Sequence, residues 1–115
     1  MTVTLYHNPR CSKSRAALAL LQDRGIKLDV VRYLETPPSE KELVALLRKL
    51  GISARELLRT KEPLYRELGL DDPELTDADL VAAMAANPVL IERPIVVAGR
   101  RAAIGRPPER VLEVF

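Results

Sequence analysis

Residues 2–33 constrain the fold most, because strand, turn and helix patterns follow one another there with sharp punctuation. TVTLY (2–6) is rich in β-branched and aromatic side chains and predicts a strand, and HNPR (7–10) is turn chemistry. A helical run then extends from about Ser12 to Arg24 and stops at Gly25, and LDVVRY (28–33) predicts a second strand. The only cysteine and the only histidine of the chain, Cys11 and His7, both lie in the connecting segment YHNPRCSKSR (6–15). Cys11 therefore stands at a helix entrance among basic and hydroxyl side chains, a poor place to hide a thiol as apolar filler.

The rest of the chain is punctuated as clearly. TPPSEKE (36–42) breaks the second strand and opens a helix through the capping pattern Ser39-x-x-Glu42. Leu43, Leu46, Leu47 and Leu50 follow at i, i+3, i+4 and i+7, one buried stripe that ends at Gly51. Ser53-x-x-Glu56 and Thr76-x-x-Asp79 predict two more helix starts, the latter feeding Leu80, Ala83 and Met84 into a core. After Asn87-Pro88, PIVVAGRRAAIG (94–105) predicts two short strands turning at Gly99-Arg100, and PPERVLEVF (107–115) a short closing helix. The order β-α-β, helices, β-β-α is that of an α/β, thioredoxin-like fold with a central helical insertion, expected as a single domain over residues 1–115.

In such a fold the reactive cysteine follows the first strand at the N-terminus of the first helix. Unpaired amides and the positive end of the helix dipole stabilise a thiolate there, below the free value of about 8.5, and the same amides cradle anions. Lys13, Arg15 and His7 are placed to add to the effect. A lone cysteine makes neither an internal disulfide nor a cysteine-based zinc site, so any redox partner comes from another molecule and no metal is expected. With 47% hydrophobic and 30% charged residues the chain is not disordered, and it lacks the roughly 20 consecutive apolar residues of a membrane span. MTVTLYHN carries no signal-peptide pattern, which points to the cytoplasm. A net charge of +2 leaves no nucleic-acid footprint, yet thirteen of the eighteen cations are arginine, the residue that binds oxyanions bidentately.

HNPRCSKSR, ELLRTKEPLY, NPVLIERPIVV and IGRPPE together resemble the glutaredoxin-coupled arsenate reductase (ArsC) family, in its shorter branch, over essentially the whole chain. The resemblance implies Cys11 as the nucleophile toward arsenate, with Arg59, Arg93 and Arg106 binding the oxyanion and His7 beside the nucleophile. It also implies a cis bond before Pro94, the proline that thioredoxin-like folds place opposite the reactive cysteine. The implied cycle uses glutathione as co-substrate and glutaredoxin to restore the thiolate, with no bound cofactor, no nucleic-acid or membrane partner, and a monomeric chain. Two alternatives share the fold: a glutaredoxin-like thiol exchanger without arsenate activity, and an Spx-like regulator that binds RNA polymerase. Spx-like proteins carry C-x-x-C where this chain has CSKS, a difference that favours an enzyme.

Residue by residue, the plainer readings also stand. Arg10, Arg24, Arg48, Arg100 and Arg101 are assigned to the solvated surface. His7 either hydrogen-bonds at the end of the first strand or tunes the thiolate. Ser14 either caps the helix, the simpler role, or donates to the thiolate.

Overall fold

The computed structural model describes residues 2–115. Its strands are β1 (Val3–His7), β2 (Leu28–Arg32), β3 (Ile95–Ala98) and β4 (Arg101–Ile104). Its α-helices are α1 (Ser12–Asp23), α2 (Glu40–Leu50), α3 (Ala54–Leu57), α4 (Pro63–Glu67) and α5 (Asp77–Ala86), and 3₁₀ segments span Pro88–Leu90 and Pro108–Val114. The sheet runs β2-β1-β3-β4. Because α1 carries the chain across from one strand to the next, β1 and β2 pair in parallel, whereas β3 pairs antiparallel to both β1 and β4. Leu5 at the centre of β1 lies opposite Val30 on one side and Val96 on the other. This is the thioredoxin-like α/β arrangement, with the helices α2–α5 inserted between β2 and β3.

Backbone contacts group into two compact units. One comprises residues 2–36 with Arg93–Phe115, and holds the sheet, α1 and the terminal 3₁₀ segment. Its core follows from two periodicities: alternate β1 residues Val3 and Leu5 face the same side, where they meet Ala17 and Leu21 of α1 together with Val96, Ala103, Val111 and Val114. The sequence predicts a short helix for the terminal segment, and after Pro107 it winds as a 3₁₀ helix. Three residues per turn eclipse side chains three apart, which brings both Val111 and Val114 into the core.

The other unit, Pro37–Glu92, is the helical insertion. Its three capping patterns form as read. Ser39 Oγ accepts the Glu42 amide at 3.1 Å while the Glu42 carboxylate accepts the Ser39 amide at 3.2 Å. Ser53 with Glu56 and Thr76 with Asp79 repeat the reciprocal pair at the starts of α3 and α5. Gly51 ends α2 in the left-handed region, φ 68°, a conformation that costs glycine nothing. Leu43, Leu46 and Leu47 are buried as expected, but Leu50 is only half-buried; on α5 the buried set is Leu80, Val81 and Met84, with Ala83 half-buried. Among the described residues no helix is long and apolar enough to cross a membrane.

Candidate active site

The site is built where the apolar face of β1 and the apolar stripe of α1 run out at the same end. On β1 the buried positions are Val3, Leu5 and His7; on α1 they are Ser14, Ala17 and Leu21. The period of two and the period of 3.6 thus deliver one polar residue each to the edge of the core. They meet there, His7 Nδ1 to Ser14 Oγ at 2.7 Å. Ser14 Oγ also accepts the Asn8 amide at 3.0 Å, so the hydroxyl bridges the imidazole and the loop. Burial holds His7 below the usual imidazole range, and the guanidiniums of Arg32 and Arg15 push it the same way. The ring is neutral and acts as a brace.

Asn8 organises the loop between that brace and the helix. Its carbonyl accepts the Cys11 amide at 3.0 Å and its Oδ1 accepts the Arg10 amide at 3.0 Å, while Arg15 Nη1 donates to Pro9 O at 2.9 Å. With the Asn8 amide held by Ser14 Oγ, these three hydrogen bonds pin the loop at four points before any ligand arrives.

Cys11 is the N-cap residue of α1, extended at φ −90° and ψ 123°, and half-exposed. No side-chain capping hydrogen bond closes at the start of α1, and the Lys13 and Ser14 amides of its first turn act on the sulfur instead. Four influences compete with one on the thiol. Partial burial, the largest, pushes its pKa up; the Ser14 amide, the charge of Arg93, the Lys13 amide and the charge of Arg106 all pull it down. The downward pulls prevail, and the thiol lies below its ordinary value.

Two of the three expected arginines thus act on the nucleophile. Arg93 precedes Pro94, which is fully buried, and the Arg93–Pro94 bond is cis. Arg106–Pro107 is cis as well, which sequence reasoning did not anticipate. Arg106 Nη1 donates to the Arg93 carbonyl at 3.2 Å, which ties the two arginines together. The third, Arg59, belongs to the helical unit. Its amide donates to Leu90 O at 2.8 Å, its Nη1 donates to Val89 O at 3.3 Å, and the same nitrogen lies 3.5 Å from the Glu62 carboxylate.

Two expectations about neighbours change. Ser14 offers the thiol its amide, while its hydroxyl neither caps α1 nor reaches the sulfur but is spent on His7 and Asn8. Arg15 is spent on the Pro9 carbonyl, and Lys13 contributes through its amide.

One residue was missed entirely. A Cβ at Gly105 would lie 2.8 Å from both Pro94 Cγ and Val111 Cγ1, and the Gly105 amide donates to Pro94 O at 2.8 Å. The missing side chain at Gly105 therefore lets the Pro94 segment and Val111 close against the backbone just before Arg106. A glycine at the end of a predicted strand, just before a motif arginine, marks such a close backbone approach. Among the described residues no group of three or more His, Cys, Asp or Glu side chains is arranged to hold a metal ion.

The sequence profile of the ArsC family matches residues 6–114. The chain is 54% identical over 114 residues to the arsenate reductase of Neisseria meningitidis serogroup B, covering 98% of this chain and 97% of that one. It is 58% identical over 113 residues to the uncharacterized protein YfgD of Escherichia coli K12, covering 97% and 95%. The structure of an arsenate reductase from Vibrio cholerae superimposes with a TM-score of 0.97 at 55% identity, covering 100% of this chain and 98% of that one.

Proposed function

We propose, from the premise that the chain belongs to the ArsC family, that it is an arsenate reductase with Cys11 as its nucleophile. The observation that supports this most is the thiol itself. A half-exposed cysteine at the first turn of α1, drawn toward thiolate by two amides and two guanidiniums, is equipped both to attack and to attract an oxyanion.

In the proposed cycle the Cys11 thiolate attacks the arsenic of arsenate, an As–O bond breaks, and that oxygen leaves as water after taking up two protons. Arg93 and Arg106 bind the remaining oxygens, and the first-turn amides stabilise charge on the leaving one. The family motif makes Arg59 the third oxyanion ligand. Glutathione then attacks the Cys11 sulfur. The S–As bond gives its electron pair to arsenic, which falls from the +5 to the +3 state and leaves as arsenite, and the two sulfurs remain joined as a mixed disulfide. The chain has no second cysteine to resolve that bond, so glutaredoxin restores Cys11 by exchange. No bound cofactor is required, Cys11, Arg93 and Arg106 come from one chain, and the reducing cytoplasm is the compartment that suits the cycle.

The deciding experiment measures arsenate-dependent NADPH oxidation in the presence of glutathione, glutaredoxin and glutathione reductase. Turnover that requires all three and Cys11 is expected. Thiol-disulfide exchange that continues with no response to arsenate would move the assignment to a thiol exchanger of the same fold.

A further inference from the structure

A cavity of about 220 Å³ opens beside the nucleophile's loop, and nothing in the cycle above uses it. Its walls come from the loop residues just before Cys11 and from the turn that follows β2. Arg10, Arg32 and Glu35 line it with Leu34, and the buried His7 forms part of the wall. Arg10 is exposed, as its assignment to the solvated surface expects, and its side chain also lines this cavity. Arg32 and Glu35 are only loosely paired, 4.0 Å apart with side chains 59% and 71% exposed, so both remain available to a ligand.

Size and charge together narrow the occupant. Complete small-molecule pockets run to about 300–1,000 Å³, so this one takes one end of a ligand. Two guanidiniums facing one carboxylate suit a group that carries a carboxylate beside an ammonium, which is the free end of an α-amino acid. The seat also lies on the right loop: Arg10, which lines it, is the residue before Cys11, and consecutive Cα atoms are about 3.8 Å apart.

We propose that this cavity seats the zwitterionic γ-glutamyl end of glutathione, Arg10 and Arg32 taking its α-carboxylate and Glu35 its ammonium, while its sulfur engages Cys11. The proposal rests on Cys11 as nucleophile but not on arsenate as substrate. The seat selects the thiol, whereas Arg93 and Arg106 act on the oxyanion.

The test avoids arsenate. Reduced protein is mixed with glutathione disulfide or with uncharged hydroxyethyl disulfide, and mass spectrometry follows the mixed disulfide. In each case the Cys11 thiolate attacks one sulfur, the S–S bond breaks, and one thiolate leaves. The ratio of the two rate constants isolates recognition from thiol reactivity. Arg10→Ala and Arg32→Ala should each lower the ratio by roughly three- to five-fold, the most that exposed charge pairs sustain, and the double variant should lower it further. Glu35→Gln should lower it less, and Arg100→Ala, on the β3–β4 turn, should not change it. An unchanged ratio in all four cavity variants overturns the seat. A ratio that rises in Glu35→Gln overturns the zwitterion in favour of a plain carboxylate such as the glycine end. Wild-type protein that reacts with neither disulfide would instead overturn the nucleophile on which the proposal rests.

Discussion

The start of α1 and the starts of α2, α3 and α5 solve the same problem in opposite ways. Each helix begins with amides that have no partner within the helix. At α2, α3 and α5 a Ser or Thr hydroxyl and an acidic side chain three residues later close a reciprocal pair of hydrogen bonds. At α1 the capping position holds Cys11, the first turn has no acidic residue, and no side-chain hydrogen bond closes on the helix end. The insertion closes three of its four α-helix starts in this way, α4 beginning instead at Pro63 without a side-chain cap; the sheet unit leaves the start of α1 to an anion. A helix terminus left uncapped in a chain that caps its other long helices well is thus a mark of chemistry.

The contrast can be broken most completely at its centre. Cys11→Ser should abolish arsenate turnover while leaving the circular-dichroism spectrum and melting temperature near wild type, since serine is itself a good helix cap and no disulfide is lost. Next in size is the arginine pair. Arg93→Lys or Arg106→Lys should weaken arsenate or sulfate binding by about 1.5–3 kcal/mol, because lysine replaces a planar fork with a point charge. Calorimetry at one salt concentration reads this, with Arg100→Lys as the silent control. Gly105→Ala tests the positioning of that pair: the added methyl should cost about 1–3 kcal/mol of stability by overpacking, and should also raise the pH at which Cys11 is alkylated by iodoacetamide.

The smallest effects exchange the two kinds of helix start. Ser39→Ala removes the α2 cap and should lower unfolding free energy by about 1 kcal/mol in urea titration, with no change at Cys11. Lys13→Glu places an acidic residue in the first turn of α1 and should disfavour the thiolate by about 0.3–1 kcal/mol. The sign is definite: a thiol lowered in the folded protein contributes stability above its unfolded pKa, and loses it as pH falls through the folded one. Lys13→Glu should therefore move the alkylation midpoint upward and flatten that pH dependence of stability.

Legibility in the sequence followed the distance over which each feature is encoded. The β-α-β start, the three capping pairs and the Gly99-Arg100 turn are local, and residues a few positions apart suffice to read them. The role of Ser14 was not legible, because its partner His7 is delivered by the alternation of another element. Nor was Gly105, whose constraint comes from Pro94 and Val111 and exists only once β3, β4 and the terminal segment have packed. The winding of that segment as 3₁₀ rather than α is likewise set by where Val111 and Val114 must point. Arg93 and Arg106 were reached through family resemblance; composition alone leaves them among thirteen arginines.

The terminal 3₁₀ segment has a consequence best put in genetic terms. It packs on both α1 and β4, and Val111 is fully buried against the open face of Gly105. A nonsense codon just after Pro107 would spare Cys11, Arg93 and Arg106, every group that the proposed chemistry places on the sheet unit, yet it would strip away the wedge that holds Gly105 to Pro94. An allele truncated there should therefore be null without a single missense change, with loss of arsenate turnover in the 1–107 chain as the measurement, because the site depends on packing encoded downstream of its own residues.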